Sequence, residues 1–138
     1  MESCNILLVD DEENLTQCLE LVLSIEGHTV TTANSGEKAL ELIRGSYERD
    51  SKIDLLITDI CMPGMSGLEL IKNLNQQKIC PLTIGISGFT DDETIAELHE
   101  KGCNDLILKP FSSKELLCRI SDIMGQLKFD SDAHINMF

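Results

Sequence analysis

The chain has 138 residues, is 42% hydrophobic and carries a formal net charge of −13, which fits one globular domain with a real core and argues against disorder. The acidic balance disfavours direct binding to nucleic acid or to an anionic membrane, both of which want a cationic face, and fits a protein that binds cations or meets basic surfaces. No apolar run approaches the roughly 20 residues of a membrane span, and Met1-Glu2-Ser3-Cys4 lacks the basic stretch and apolar core of a signal peptide, so a cytoplasmic location is the expectation.

Ile6-Leu7-Leu8-Val9 is short and apolar enough for a buried strand. Leu15, Cys18, Leu19 and Val22 then repeat at helical spacing. A weaker alternation from His28 to Thr32 predicts a second strand, and Ala39, Leu40 and Ile43 a second helix. The polar stretch Gly45 to Lys52 either extends that helix or forms a loop. Asp54-Leu55-Leu56-Ile57 reads as the third strand, and Gly67, Leu70, Ile71 and Leu74 as the third helix. Leu82 to Ile86 follows as a strand, Ile95 and Leu98 as a shorter helix, Leu106-Ile107-Leu108 as the last strand. Leu116, Ile120, Ile123 and Leu127 mark the fifth helix. Three helices open on a capping box: Ser66 with Glu69, Thr90 with Glu93, and Ser112 with Glu115. Five strands and five helices in strict alternation predict a parallel sheet with helices on both faces. The organisation expected is one domain over residues 1–127, with 128–138, where periodicity is lost, as a tail or the start of a linker.

The six cysteines, Cys4, Cys18, Cys61, Cys80, Cys103 and Cys118, have no zinc-ribbon spacing. Several fall in apolar stretches and read as small core residues. His28, His99 and His134 lack partners at metal spacing and read as surface or packing residues.

In an open α/β sheet, functional groups gather just past the carboxyl ends of the strands. Strand one ends in Asp10-Asp11, strand three in Asp59, strand four in Ser87-Gly88 and strand five in Lys109-Pro110. In the flavodoxin-like order 2-1-3-4-5, strands one and three are neighbours and the three aspartates lie close together. Like charges about 4 Å apart repel by roughly 4 kcal/mol at an effective dielectric near 20, so such a cluster needs a proton, a cation or a metal. Hard oxygen ligands beside an open pocket suit Mg²⁺. Lys109 adds a compact positive charge and Ser87 a hydroxyl. This is equipment for phosphoryl transfer to a carboxylate. Asp10-Asp11 alone would read as an acidic helix start, and Ser87 and Lys109 alone as a loop hydroxyl and a helix-start lysine. Cys61 sits beside three acids, which disfavours a reactive thiolate.

The runs Leu8-Val9-Asp10-Asp11-Glu12, Thr58-Asp59-Ile60-Cys61-Met62-Pro63-Gly64-Met65-Ser66-Gly67, Ser87-Gly88 and Lys109-Pro110-Phe111 together resemble the response-regulator receiver domain of two-component signalling, over roughly residues 4 to 127. The resemblance implies that Asp59 is the phosphoacceptor and one of the metal's ligands. It implies that Asp11 ligates Mg²⁺ directly, that Asp10 positions the metal and its waters, and that the backbone carbonyl of Cys61 is a further ligand. Ser87 matches the hydroxyl that moves to the phosphoryl group, and Lys109 the lysine that pairs with it. Lys109-Pro110 matches a peptide bond that is usually cis. The partners implied are a histidine kinase or histidine phosphotransfer protein and an unknown output protein or domain. No nucleic acid or membrane is among them, and homodimerisation on phosphorylation is a family habit.

The family's switch surface is built from the fourth helix, fifth strand and fifth helix. There Leu106 departs from the pattern, standing where receivers often carry an aromatic residue. Cys61 and Phe89, two beyond Asp59 and Ser87, present no carboxylate or amide to orient water, which predicts slow self-dephosphorylation. Three rivals fit less well. An aspartyl-phosphate phosphatase wants a second acid two residues after its nucleophile on strand one, and Asp10 is followed at once by Asp11. A phosphate-independent binding module leaves the full acid, hydroxyl and lysine set unused. A flavin carrier is poorly supported by a chain with one tyrosine, no tryptophan and no obvious phosphate loop. Whether the chain stands alone or is part of a longer protein stays open.

Overall fold

A computed structural model describes residues 3–88 and 91–136, with side chains to residue 125. The elements alternate as expected: β1 (Asn5–Val9), α1 (Glu13–Ile25), β2 (Thr29–Ala33), α2 (Gly36–Glu48), β3 (Leu55–Asp59), α3 (Gly67–Gln76), β4 (Leu82–Ser87), α4 (Asp92–Glu100), β5 (Asp105–Leu108) and α5 (Ser113–Asn136). The five strands form one sheet in the order β2-β1-β3-β4-β5, and every pairing is parallel. This is the flavodoxin-like fold.

The period-two alternation of each strand divides the core between two faces. Ile6 and Leu8 of β1 and Ile57 of β3 pack with Leu19 and Leu23 of α1 and with Leu116, Ile120 and Ile123 of α5. Leu7 and Val9 of β1 and Leu56 of β3 point the other way, against Ala39, Leu40 and Ile43 of α2 and Leu70 and Leu74 of α3. A smaller cluster, Ile60, Ile71, Leu98 and Cys103 with Leu106 packed on it, seats α4. Strands covered on both faces explain the near-continuous apolar runs.

Several sequence expectations shift. The buried stripe of α1 is Thr16, Leu19 and Leu23, while Cys18 is exposed. Thr16 can take a core position because its hydroxyl donates to the Glu12 carbonyl at 2.9 Å. Only Cys4 and Cys103 are buried among the cysteines; Cys80 is half-buried, and Cys61 and Cys118 are exposed. The stretch from Gly45 continues α2 to Glu48, and Asp50 then turns the chain with φ 56°. His28 lies just before β2, buried, with its Nδ1 accepting the Cys4 N–H at 3.1 Å, which makes it a packing histidine.

Ser66 and Ser112 cap α3 and α5 as expected, accepting the N–H of Glu69 at 3.2 Å and of Glu115 at 3.0 Å. Thr90 lies outside the described residues, and the cap of α4 is Asp91, whose carboxylate accepts the Thr94 N–H at 2.7 Å. The α5 backbone stays helical to Asn136, past the point where the apolar repeat stops. Once nucleated against the core, a helix gains one hydrogen bond per added residue and needs no further apolar face to continue. Among the described residues no helix is long and apolar enough to cross a membrane.

Candidate functional site

The parallel register brings the strand ends to one edge. Val9 pairs with Thr58, so Asp10 leaves β1 beside Asp59, the last residue of β3. Asp59 pairs with Ile86 and Ser87 with Leu108, which sets Ser87 and Lys109 next in line. The Lys109 N–H donates to the Ser87 carbonyl at 2.7 Å, and Lys109-Pro110 is cis.

Carboxylate oxygens of Asp10, Asp11 and Asp59 lie within 4.8 Å of one another. Asp10 and Asp59 are buried, whereas Asp11 is exposed. Lys109 bends over the cluster, its Nζ donating to Asp59 Oδ2 at 3.1 Å and standing 3.8 Å from Asp10 Oδ2. Glu12, which the sequence reading left without a role, also reaches this ammonium, at 3.6 Å. Asp59 Oδ1 accepts the Cys61 N–H at 3.1 Å, and Asp10 Oδ1 accepts the Glu12 N–H at 2.9 Å. Ser87 is fully buried at the end of β4. Phe89 lies outside the described residues.

The electrostatics are unbalanced. Burial pushes the Asp10 carboxyl up from 3.8 to about 6; the Asp59 and Glu12 charges push the same way, against the Glu12 N–H and Lys109. Burial works against the Lys109 charge, but the Asp59 hydrogen bond and charge, with Asp10 and Glu12, outweigh it and raise its pKa. One ammonium serves three carboxylates, and Asp10 Oδ2 is buried with no hydrogen-bond partner. A buried oxygen without a hydrogen-bond partner in a cluster of hard acidic ligands is a place where a hard cation is accommodated, so the donor set fits Mg²⁺.

Two clefts flank the cluster. One, of about 570 Å³, opens beside Asp10 and Asp11 between α1, the end of β2 and the start of α2, with Thr16, Asn34 and Lys38 in its walls. The other, of about 470 Å³, is walled by Glu12, Leu15, Lys109, Pro110 and Phe111. Reacting groups can therefore reach the acids from outside.

Comparison with known proteins agrees with this geometry. Residues 6–121 match the response regulator receiver domain family. The response regulator SaeR of Staphylococcus aureus (strain USA300) is 30% identical over 124 residues, covering 90% of this chain and 52% of SaeR. The chain thus spans about half the length of the curated relatives it matches. The chemotaxis protein CheY4 of Vibrio cholerae superposes with a TM-score of 0.76 at 26% identity, over 88% of this chain and 98% of that one. A chain from the CheX–CheY–BeF3–Mg²⁺ complex of Borrelia burgdorferi superposes with a TM-score of 0.80 at 27% identity, over 88% of this chain and 89% of that one. With its strand order, its acidic strand-end cluster and this match, the chain belongs to the response regulator receiver domain family of two-component signalling.

Proposed function

We propose that this domain is a phosphorylation switch in which Asp59 accepts a phosphoryl group from a histidine kinase or histidine phosphotransfer protein. The observation that carries the reading is the contact of Lys109 Nζ with Asp59 Oδ2 at 3.1 Å inside a cluster whose Asp10 Oδ2 has no hydrogen-bond partner. Asp11, Asp59 and the Cys61 carbonyl would hold Mg²⁺, with Asp10 positioning the metal and its waters. When bound, Mg²⁺ neutralises charge on the transferring group.

The chain's own residues do the rest. An Asp59 carboxylate oxygen attacks phosphorus as the P–N bond to the donor imidazole breaks, and the imidazole nitrogen takes up a proton. Lys109 Nζ, already at the nucleophile, pairs with a phosphoryl oxygen, and Ser87 Oγ donates to another. The apolar wall of Leu15, Pro110 and Phe111 beside Lys109 suits the donor's approach.

The new dianion draws Ser87 and the end of β4 inward. That shift biases the surface of α4, β5 and α5, and with it affinity for an output partner. Leu106 is packed on the Ile60, Ile71, Leu98 and Cys103 cluster, so the signal travels there through aliphatic packing and helix shifts rather than through an aromatic side chain. In this reading the domain works in the cytoplasm and catalyses only its own modification.

Intact mass after incubation with acetyl phosphate tests the reading. A single adduct that requires Mg²⁺ and is lost in Asp59→Asn is expected. No adduct on well-folded protein would overturn it and favour a phosphate-independent binding module. Because Cys61 offers no group to orient water, the phospho-form should persist beyond minutes; decay within seconds in Mg²⁺ would contradict that.

A further inference from the structure

The segment from Ile60 to Ser66 has no regular secondary structure, although it carries Cys61 beside the acceptor. Its ends are fixed: the Ile60 N–H donates to the Ile86 carbonyl and the Gly67 N–H to the Ile60 carbonyl, both at 2.9 Å. Met62 is buried against α2 and α3. Between these anchors Pro63 and Gly64 are exposed, and Gly64 takes the left-handed φ of 73°. There the loop is tied to another element, because the Met65 N–H donates to Glu37 Oε1 at 2.8 Å.

Glu37 lies in the first turn of α2, where the helix dipole favours an anion. Hydrogen bonds from its own N–H and from that of Met65 hold the carboxyl below its usual range, so the tie to Met65 is a charge-assisted bond. The surroundings are cut to fit it. A Cβ on Gly36 would stand 2.9 Å from both the Met65 Cβ and the Met65 carbonyl oxygen, and one on Gly64 would stand 3.1 Å from Glu37 Oε1. An acid serving only the helix dipole would not need this close seat against a loop on a different element.

We propose that Glu37 is a positioning residue for the acceptor site, pinning the loop at Met65 and thereby setting where the Cys61 carbonyl stands relative to Asp59 and Asp11. The proposal rests on the reading of Asp11, Asp59 and that carbonyl as Mg²⁺ ligands. Mg²⁺ tolerates little departure from octahedral geometry, so a ligand on an irregular loop needs outside support.

The test is Mg²⁺ affinity, measured on the full chain by calorimetric or NMR titration with Mg²⁺ alone. Glu37→Ala should bind about tenfold more weakly, the lower end of what supporting partners of metal ligands contribute. Its metal-free urea midpoint should stay close to the wild type's, and its Cys61 amide resonance should move. Phosphorylation by acetyl phosphate should fall at low Mg²⁺ and recover at saturating Mg²⁺. Glu37→Gln, which keeps an acceptor oxygen but loses the charge, should fall between the wild type and Glu37→Ala in Mg²⁺ affinity. Wild-type affinity in Glu37→Ala would overturn the proposal and leave the acceptor-site reading standing. So would a Glu37→Gln chain as impaired as Glu37→Ala, since charge alone would then be acting. A wild-type chain that takes up neither Mg²⁺ nor phosphate would instead overturn the reading beneath it.

Discussion

Asp10 is a residue through which pH acts on this fold. Its carboxyl titrates at about 6 in the folded protein, against 3.8 ordinarily. Between those values the folded chain holds a proton that the unfolded chain has lost, so stability falls as pH rises through the window and levels off above it. The size is on the order of 3 kcal/mol. Asp10→Asn removes the term. The gap in unfolding free energy between Asp10→Asn and the wild type, both metal-free, should open in favour of the variant from about pH 4 to about pH 7. Urea titrations at several pH values check this, and a gap independent of pH would refute it. The same substitution should weaken Mg²⁺ binding, because the repulsion that costs stability is what a cation relieves. Given the flavodoxin-like strand order that the family resemblance implies, the sequence placed Asp10, Asp11 and Asp59 together, since strand ends in this topology converge. It did not show that Asp10 Oδ2 is buried without a hydrogen-bond partner, nor that Glu12 reaches Lys109, because side-chain reach depends on where α1 begins.

Two features of α3 hold the site from below. Ser66 caps the helix through the Glu69 N–H, and Ser66→Ala should cost about 1 kcal/mol, read as a lowered urea midpoint with an unchanged m-value. Gly67 is the tighter constraint. A Cβ there would collide with the Asp59 carbonyl oxygen and stand 2.8 Å from the Ile60 Cα. Gly67→Ala should therefore cost roughly 1–3 kcal/mol as overpacking and displace Asp59 with it, lowering Mg²⁺ affinity as well as stability. A stable variant with unaltered Mg²⁺ binding would show that the loop yields without disturbing the acceptor. The serine caps of α3 and α5 were legible because a hydroxyl followed three residues later by a glutamate is a local pattern. The start of α4 was not, because the cap is Asp91, which has no glutamate or glutamine three residues on, and aspartate is preferred to threonine at that position. Cys18 misled for a related reason: its spacing suits two neighbouring helical faces, and tertiary packing chose the one with Thr16 and Leu23.

The molecule as a whole is two cores sharing one sheet. Ile57 is fully buried among the α1 and α5 contacts while its neighbour Leu56 is fully buried among those of α2 and α3. Ile57→Ala should cost about 2–5 kcal/mol, a large share of the 5–15 kcal/mol that holds a typical domain folded. Chemical denaturation would show it, and a loss below 1 kcal/mol would mean that the faces repack independently of β3. Because β3 also ends in Asp59, damage to this strand reaches the acceptor as well as the core.

By itself the sequence determined the order of elements, the parallel sheet and the edge on which the acids gather. Each follows from local periodicity joined to the rule that short βα units wind one way and leave their functional groups past the strand ends. Only the tertiary structure decided which carboxylate is desolvated and which lies open, that one ammonium is shared among three acids, and that Glu37 grips the loop beside Cys61. Those facts depend on distances between residues far apart in the chain, and no local pattern encodes how closely two elements approach once both have packed against the sheet.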